Sequence, residues 1–321
     1  MKVSVVIPTF NRARLLGSAV DSALAQDGGG LEIEVIVVDD HSSDDTLRRL
    51  TARFGGDARV MVLRNARARG AAGARNTGIL AARHPYVAFL DSDDRYLPGH
   101  LAAAAAVFEA HPRVGVVFGR SLYEEGGAEI PHIGPHFERS LSRAPRVAET
   151  DEVIVFTPDF FAHLLEAGCY VALTTVVLKA EAARELMEES LRVAEDYEFW
   201  TRLSRKYVFA CLKAPQTRML RHGENLSSDC AGSMAPMNIH AYELMLAYPG
   251  LRACEKRLLY RRFAQSYFDW AWWRRENGQF MESLRLNLKS IRYGLILRNL
   301  AAMAKLPLAA FKRSGSSGRA S

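Results

Sequence analysis

Three short, β-branched apolar runs in the first hundred residues each break off into a cluster of polar side chains, and this pattern narrows the fold more than any other feature. Val3 to Ile7 leads into Pro8-Thr9-Phe10-Asn11-Arg12, Ile33 to Val38 into Asp39-Asp40, and Tyr86 to Leu90 into Asp91-Ser92-Asp93-Asp94. Apolar runs of this length without polar alternation read as strands buried on both faces. The stretches between them, Arg14 to Ala25, Asp44 to Arg53 and Ala71 to Ala82, read as amphipathic helices, with a further strand at Arg59 to Leu63. The alternation predicts an α/β chain whose mostly parallel sheet is flanked by helices. Ligands of such sheets bind in the crevice outside the carboxyl ends of the strands, which is where all three polar clusters fall.

Further along, Pro98 is placed to open a helix, and Leu122 to Val155, rich in Gly, Pro and His without a steady period, reads as an irregular insert. A strand is expected at Tyr170 to Leu178, helices at Glu181 to Glu189 and Asp196 to Arg205, and a strand at Val208 to Leu212. Beyond Ser227 the pattern is wholly helical. The expected division is therefore an α/β domain over 1–226, a helical domain over 227–313 and a disordered tail over 314–321. With 321 residues, 49% of them hydrophobic and 24% charged, the chain is neither a disordered protein nor a disulfide-stapled miniprotein. Its four cysteines lack metal-ligand spacing, which implies thiols in a reducing compartment and no structural zinc.

Charge is unevenly placed. The net charge is +6, yet the segment from Arg252 onward carries +11, leaving the rest at −5. No apolar run reaches the ~20 residues of a membrane-spanning helix, and Met1-Lys2 leads straight into a strand-like run, so the expected location is the cytoplasm or the cytoplasmic face of a membrane. Gly294 to Phe311, with Leu295, Ile296, Leu297, Leu300, Met303 and Leu306 against Arg298, Lys305 and Lys312, suits a helix lying in an anionic headgroup layer. The aromatic crowd from Tyr260 to Trp273 is expected to be core packing between helices. Arg64, Arg67, Arg69 and Arg75, with Gly70, Gly73 and Gly78, form a basic, flexible lead into a helix. The segment has no interleaved aromatics and its domain is acidic, so no nucleic acid partner is expected.

Packing the carboxylates of Asp91 to Asp94 at one strand end costs repulsion unless a cation neutralises them. Hard oxygen ligands select Mg²⁺ or Mn²⁺, which share their shell with substrate phosphates. Glu195-Asp196 opens a helix, where Asp196 serves either as a cap or as a base for an incoming hydroxyl. His222 is a lone histidine that gains meaning only beside Asp93.

Taken together, Val-Val-Ile-Pro-Thr-Phe-Asn-Arg at 5 to 12, Val-Val-Asp-Asp-His-Ser-Ser-Asp-Asp-Thr at 37 to 46, Gly-Ala-Arg-Asn-Thr-Gly at 73 to 78 and Phe-Leu-Asp-Ser-Asp-Asp at 89 to 94 closely resemble family 2 glycosyltransferases. With Glu195-Asp196 and His222 the likeness covers roughly the first 225 residues. It implies a Rossmann-like GT-A fold and inverting transfer of a sugar from a nucleotide diphosphate donor, UDP being the family-level expectation, to a glycan or lipid-linked acceptor in surface polysaccharide synthesis. By the same resemblance Pro8, Thr9, Asn11, Arg12, Asp39, Asp40, Arg75, Asn76, Asp91 and Ser92 line the donor pocket. Asp93, with Asp91 and His222, holds Mn²⁺ or Mg²⁺, and Asp196, beside Glu195, takes the acceptor proton. Two other readings of the same residues are a non-catalytic scaffold that binds nucleotide sugars or membrane, and a nucleotidyltransferase that releases pyrophosphate.

Overall fold

The computed structural model describes residues 1–26, 30–130, 135–221, 231–294, 300, 302 and 303. Two compact units divide the chain, Met1–Gly223 and Glu224–Ser321. In order, the first unit contains β1 (Lys2–Thr9), α1 (Leu16–Leu24), β2 (Glu32–Asp39), α2 (Thr46–Phe54), β3 (Val60–Arg64), α3 (Ala71–Ala81), β4 (Tyr86–Phe89), β5 (Arg95–Tyr96), α4 (His100–Ala110), β6 (Val114–Glu125) and β7 (Ala128–Ile130). It continues with α5 (Pro135–Arg143), β8 (Arg146–Glu149), β9 (Val153–Phe156), α6 (Phe160–Ala167), a 3₁₀ turn at Leu173–Thr175, β10 (Val177–Lys179), α7 (Ala180–Ala183), α8 (Glu195–Leu203) and β11 (Val208–Arg221).

One sheet runs in the order β3-β2-β1-β4-β10-β6-β11-β9-β8. Its first four strands are mutually parallel, whereas β10 is antiparallel to both β4 and β6 and β11 returns parallel to β6. The residues from Val3 to Ile7 and from Ile33 to Val38 are buried without alternation, because both faces are covered. On one face lie side chains of α1, α2 and α4, among them Val20, Leu50 and Phe108; on the other lie those of α3, α6 and α8, among them Ile79, Phe160 and Trp200. This two-sided core fixes the strands rigidly enough that their carboxyl-end loops form a preset rim.

Several expectations need correction. The helix after Pro98 begins at His100, because Gly99 takes a left-handed conformation (φ +82°) in between. The stretch from Leu122 to Val155 is ordered where described: β6 continues to Glu125, Gly126 and Gly127 turn the chain at φ +59° and +83° into β7, and α5, β8 and β9 follow. Of the expected Tyr170 to Leu178 strand only Val177 and Leu178 belong to β10, and Leu173–Thr175 forms the 3₁₀ turn. The expected helix from Glu181 to Glu189 is a single turn, since outside side chains hold the backbone groups its continuation needs. Asn76 binds the N–H and C=O of Met187, and Arg202 donates to the carbonyls of Glu185 and Leu186. β6 and α6 had no counterpart in the sequence reading, and β11 extends well past Leu212.

The second unit consists, among the described residues, of α9 (Ala231–Leu246), α10 (Ala253–Glu276) and α11 (Phe280–Tyr293). Phe263 and Tyr267 of α10 are buried and stack on Tyr293, as expected of core aromatics, whereas Tyr260 and Trp272 are exposed. The proposed membrane helix at Gly294 to Phe311 lies largely outside the described residues.

Candidate active site

Asp40 and Asp39 show how the donor-side rim is built. The Asp40 backbone N–H donates to the Thr9 carbonyl (2.8 Å) and that of Asn65 to the Asp39 carbonyl (2.8 Å), extending the ladder one residue past each strand. Asp39 is 1% exposed, and both its carboxylate oxygens accept the Ser42 N–H (3.2 Å). Asp40 accepts from Asn65 Nδ2 (2.6 Å) through one oxygen and from the Gly70 N–H (2.8 Å) through the other. Asn11, at φ +51°, accepts the Ser43 N–H (2.8 Å) on Oδ1, and its own N–H donates to Ser42 Oγ (2.9 Å). The Arg12 N–H donates to Thr46 Oγ1 (3.0 Å). Pro8 and Thr9 end β1, and Thr9 is buried. The expected donor residues of β1 and β2 are thus gathered, with their carboxylates bracing loops by hydrogen bonds to backbone N–H groups.

The basic lead into α3 behaves differently from a solvated anion trap. Gly73 lies where an added Cβ would stand 1.9 Å from the Ala68 carbonyl, so the loop folds tightly onto the helix start; at Gly78 a Cβ would stand 2.4 Å from Val6. Arg67 is ion-paired with Glu189, whose carboxylate also accepts the Ala68 N–H (3.2 Å) and Asn76 Nδ2 (2.7 Å). These three donors outweigh the effect of burial and lower the pKa of Glu189. Asn76, expected at the donor pocket, is 1% exposed, and its amide nitrogen donates to the Met187 carbonyl and to Glu189, so it positions the 187–189 segment. Arg75 is expected there too. Its side chain is 6% exposed, with Nη2 donating to Asp91 Oδ1 (2.7 Å) and Nη1 to Glu195 Oε1 (3.0 Å).

That guanidinium joins the end of β4 to the start of α8. Beyond Asp91, Asp93 lies 3.9 Å from Arg12, Ser92 is buried, and buried Asp94 accepts the Leu220 N–H (3.2 Å) from the end of β11. Burial, then repulsion from Asp91 and Asp93, raises the Asp94 pKa well above the carboxylate range. Among the described residues no group of three His, Cys, Asp or Glu is disposed to hold a metal ion; the expected Asp91, Asp93 and His222 set includes His222, which lies outside the described residues. The donor set that does exist, Asp93 and the second oxygen of Asp91, suits a hard cation completed by ligands from elsewhere.

At α8, Ala194 precedes the dyad at φ +66°, a conformation that costs an alanine about 1 kcal/mol. The helix starts at Glu195, so Asp196 lies inside the first turn and not at the cap. Burial, followed by the neighbouring Asp196 charge, pushes the Glu195 pKa up to about 7 despite Arg75. Asp196 is raised as well, chiefly by burial, against the lowering effect of the Tyr197 N–H (2.7 Å) and Arg75. Two adjacent carboxyl groups of raised proton affinity, one of them bound to the buried Arg75, form an arrangement suited to accepting a proton near neutral pH.

Sequence reasoning missed Asn65, Glu189, Asp94 as a distinct member of its cluster, and Cys169, whose thiol lies 3.7 Å from Asp196 Oδ2. Asn65 follows β3 directly, so the strand-end rule that selected Asp39 would have found it. Glu189 and Cys169 lie in irregular chain and carry no such signal.

Residues 4–166 match the family description Glycosyl transferase family 2, and the chain belongs to that family. Two curated relatives are the succinoglycan biosynthesis protein ExoO of Rhizobium meliloti, 39% identical over 41% of this chain, and a GalNAc(5)-diNAcBac-PP-undecaprenol beta-1,3-glucosyltransferase of Campylobacter jejuni, 34% identical over 50%. The chain spans 39% and 50% of the length of these two proteins. Among solved structures, S. aureus TarS in complex with UDP-GlcNAc superposes with a TM-score of 0.63 at 21% identity, covering 98% of this chain and 88% of that one. The mannosyltransferase PcManGT from Pyrobaculum calidifontis, in complex with GDP-Man and Mn²⁺, gives 0.56 at 18% identity, covering 98% and 83%. At such identities the likeness shows the fold, and that fold is GT-A.

Proposed function

We propose that this chain is an inverting glycosyltransferase that moves a sugar from a nucleoside diphosphate donor, UDP first among the candidates, to a hydroxyl of a glycan or lipid-linked acceptor in surface polysaccharide synthesis. The observation that carries the reading is the Asp91–Arg75–Glu195 bridge, which sets a proton-accepting dyad one guanidinium away from the carboxylates at the end of β4. Relatives supply the substrate classes: one is named for a glucosyl transfer involving an undecaprenol-linked glycan, and two fold neighbours carry UDP-GlcNAc or GDP-Man.

In this mechanism Asp196 takes the proton of the acceptor hydroxyl as it attacks the anomeric carbon from the face opposite the diphosphate. One displacement inverts the centre and needs no covalent sugar intermediate. Glu195, hydrogen-bonded to Arg75, anchors the first turn of α8 and so keeps Asp196 at the end of β4. Asp93 and Asp91 would hold Mn²⁺ or Mg²⁺, which when bound neutralises charge on the leaving diphosphate. The rim from Pro8 to Arg12, with Asp39 and Asp40, seats the nucleoside. The test is product analysis with a panel of nucleotide sugars, with and without Mn²⁺: release of a nucleoside diphosphate with an inverted glycoside supports the reading, and release of pyrophosphate replaces it by nucleotidyl transfer.

The acceptor reading favours a peripheral position on the cytoplasmic membrane face. No helix among the described residues is long and apolar enough to cross a membrane. On α11, Met281 (69% exposed) and Leu288 (54%) share one outward stripe with exposed Arg285 and Arg292, a pattern suited to anionic headgroups. Flotation with anionic vesicles tests this: Arg285→Glu with Arg292→Glu is expected to weaken binding several-fold, and unchanged flotation removes α11 from that role.

A further inference from the structure

α6 ends at Gly168, whose φ of +86° turns the chain sharply. Tyr170 then enters the aromatic core against Phe118, Phe137 and Phe160. Between the two, Cys169 is delivered to the dyad. Its Sγ stands 3.7 Å from Asp196 Oδ2 and 3.9 Å from the Val171 carbonyl. The relative placement of α6 and α8 is fixed independently, because the Tyr197 hydroxyl donates to the Leu164 carbonyl (3.0 Å).

From this geometry we infer that Cys169 is a positioning residue for the carboxylate of Asp196: its thiol donates to Oδ2 while the Tyr197 N–H donates to Oδ1, so the carboxylate plane is fixed from both ends. The inference rests on the reading of Asp196 as the proton acceptor. Burial, and next to it the charge of Asp196, pushes the Cys169 thiol well above its ordinary range, so the sulfur keeps its proton and acts as a donor and not as a nucleophile. The choice of sulfur has a chemical reason. A thiol is a weak donor, so it orients the carboxylate while withdrawing little of its basicity, whereas a hydroxyl in its place would stabilise the ionised form more strongly. Other charged groups that act on Asp196 are Arg75 from α3 and Asp91 from the end of β4, and Glu195 precedes it on α8.

The test is the pH dependence of kcat for the full chain with Cys169→Ser and Cys169→Ala, alongside Asp196→Asn. Cys169→Ser is expected to move the acidic limb to lower pH by about 0.5, with a few-fold slower plateau, and Cys169→Ala to move it to higher pH by a similar amount, both with donor KM unchanged. If one variant does not fold, the other still gives a signed shift. Acidic limbs that stay in place while Asp196→Asn is inactive overturn the role of Cys169 alone. An active Asp196→Asn overturns the underlying assignment of the base.

Discussion

The two rims of the site use carboxylates in opposite ways. On the β1 and β2 side, Asp39 and Asp40 each have both oxygens hydrogen-bonded, Asp39 by the Ser42 N–H and Asp40 by Asn65 and the Gly70 N–H. On the α8 side, Glu195 and Asp196 are buried side by side, Glu195 bound to Arg75, and both bind protons more tightly than free carboxylates do. A saturated carboxylate builds shape; a poorly solvated one retains chemical work to do. Sequence alone treats them alike, since each is simply an Asp or Glu at an element boundary.

The contrast is broken most severely by Asp196→Asn. Transfer is expected to fall roughly 1000-fold while donor binding, followed by thermal shift, survives; full turnover in that variant places the chemistry elsewhere. Next in size is Arg75→Met, which leaves Asp91 and Glu195 without their cation. Denaturant unfolding is expected to register about 3 kcal/mol of lost stability, together with loss of transfer. Asn65→Ala probes the saturated rim: freeing one oxygen of Asp40 loosens the donor loop, so donor KM is expected to rise about 10-fold with kcat nearly unchanged.

The smallest effect concerns pH. Glu195 is raised from 4.5 to about 7, so between those values the folded chain holds a proton that the unfolded chain has released. Stability therefore falls as pH rises through that window. Glu195→Gln should flatten this fall in thermal melts, and a slope identical to that of the unmodified chain would mean that Glu195 is not the group responsible.

Much of the first half of the fold was legible because its strands are buried on both faces and are bounded by polar clusters, so hydrophobicity and punctuation agree. The region after Ala110 was harder to read for identifiable reasons. β8 is a four-residue edge strand of mostly exposed Arg146 to Glu149, and α7 is cut short by side chains distant in sequence, Asn76 and Arg202. The donor motifs were visible as strand-end residues, yet the roles of Arg75 and Asn76 were not. Both lie within α3, and the groups they bind, Asp91, Glu195 and the 187–189 segment, come from other parts of the chain. Cys169 and Glu189 depend on loop paths that no local pattern encodes.

One guanidinium touches both Asp91 and Glu195, and a guanidinium is flat and inextensible. Arg75 is therefore a ruler: the gap between Asp91 at the end of β4 and Glu195 at the start of α8 is set by the width of a single side chain. In the mechanism proposed above, the span across which the sugar is exchanged is then fixed by this one residue, whatever the surrounding loops do.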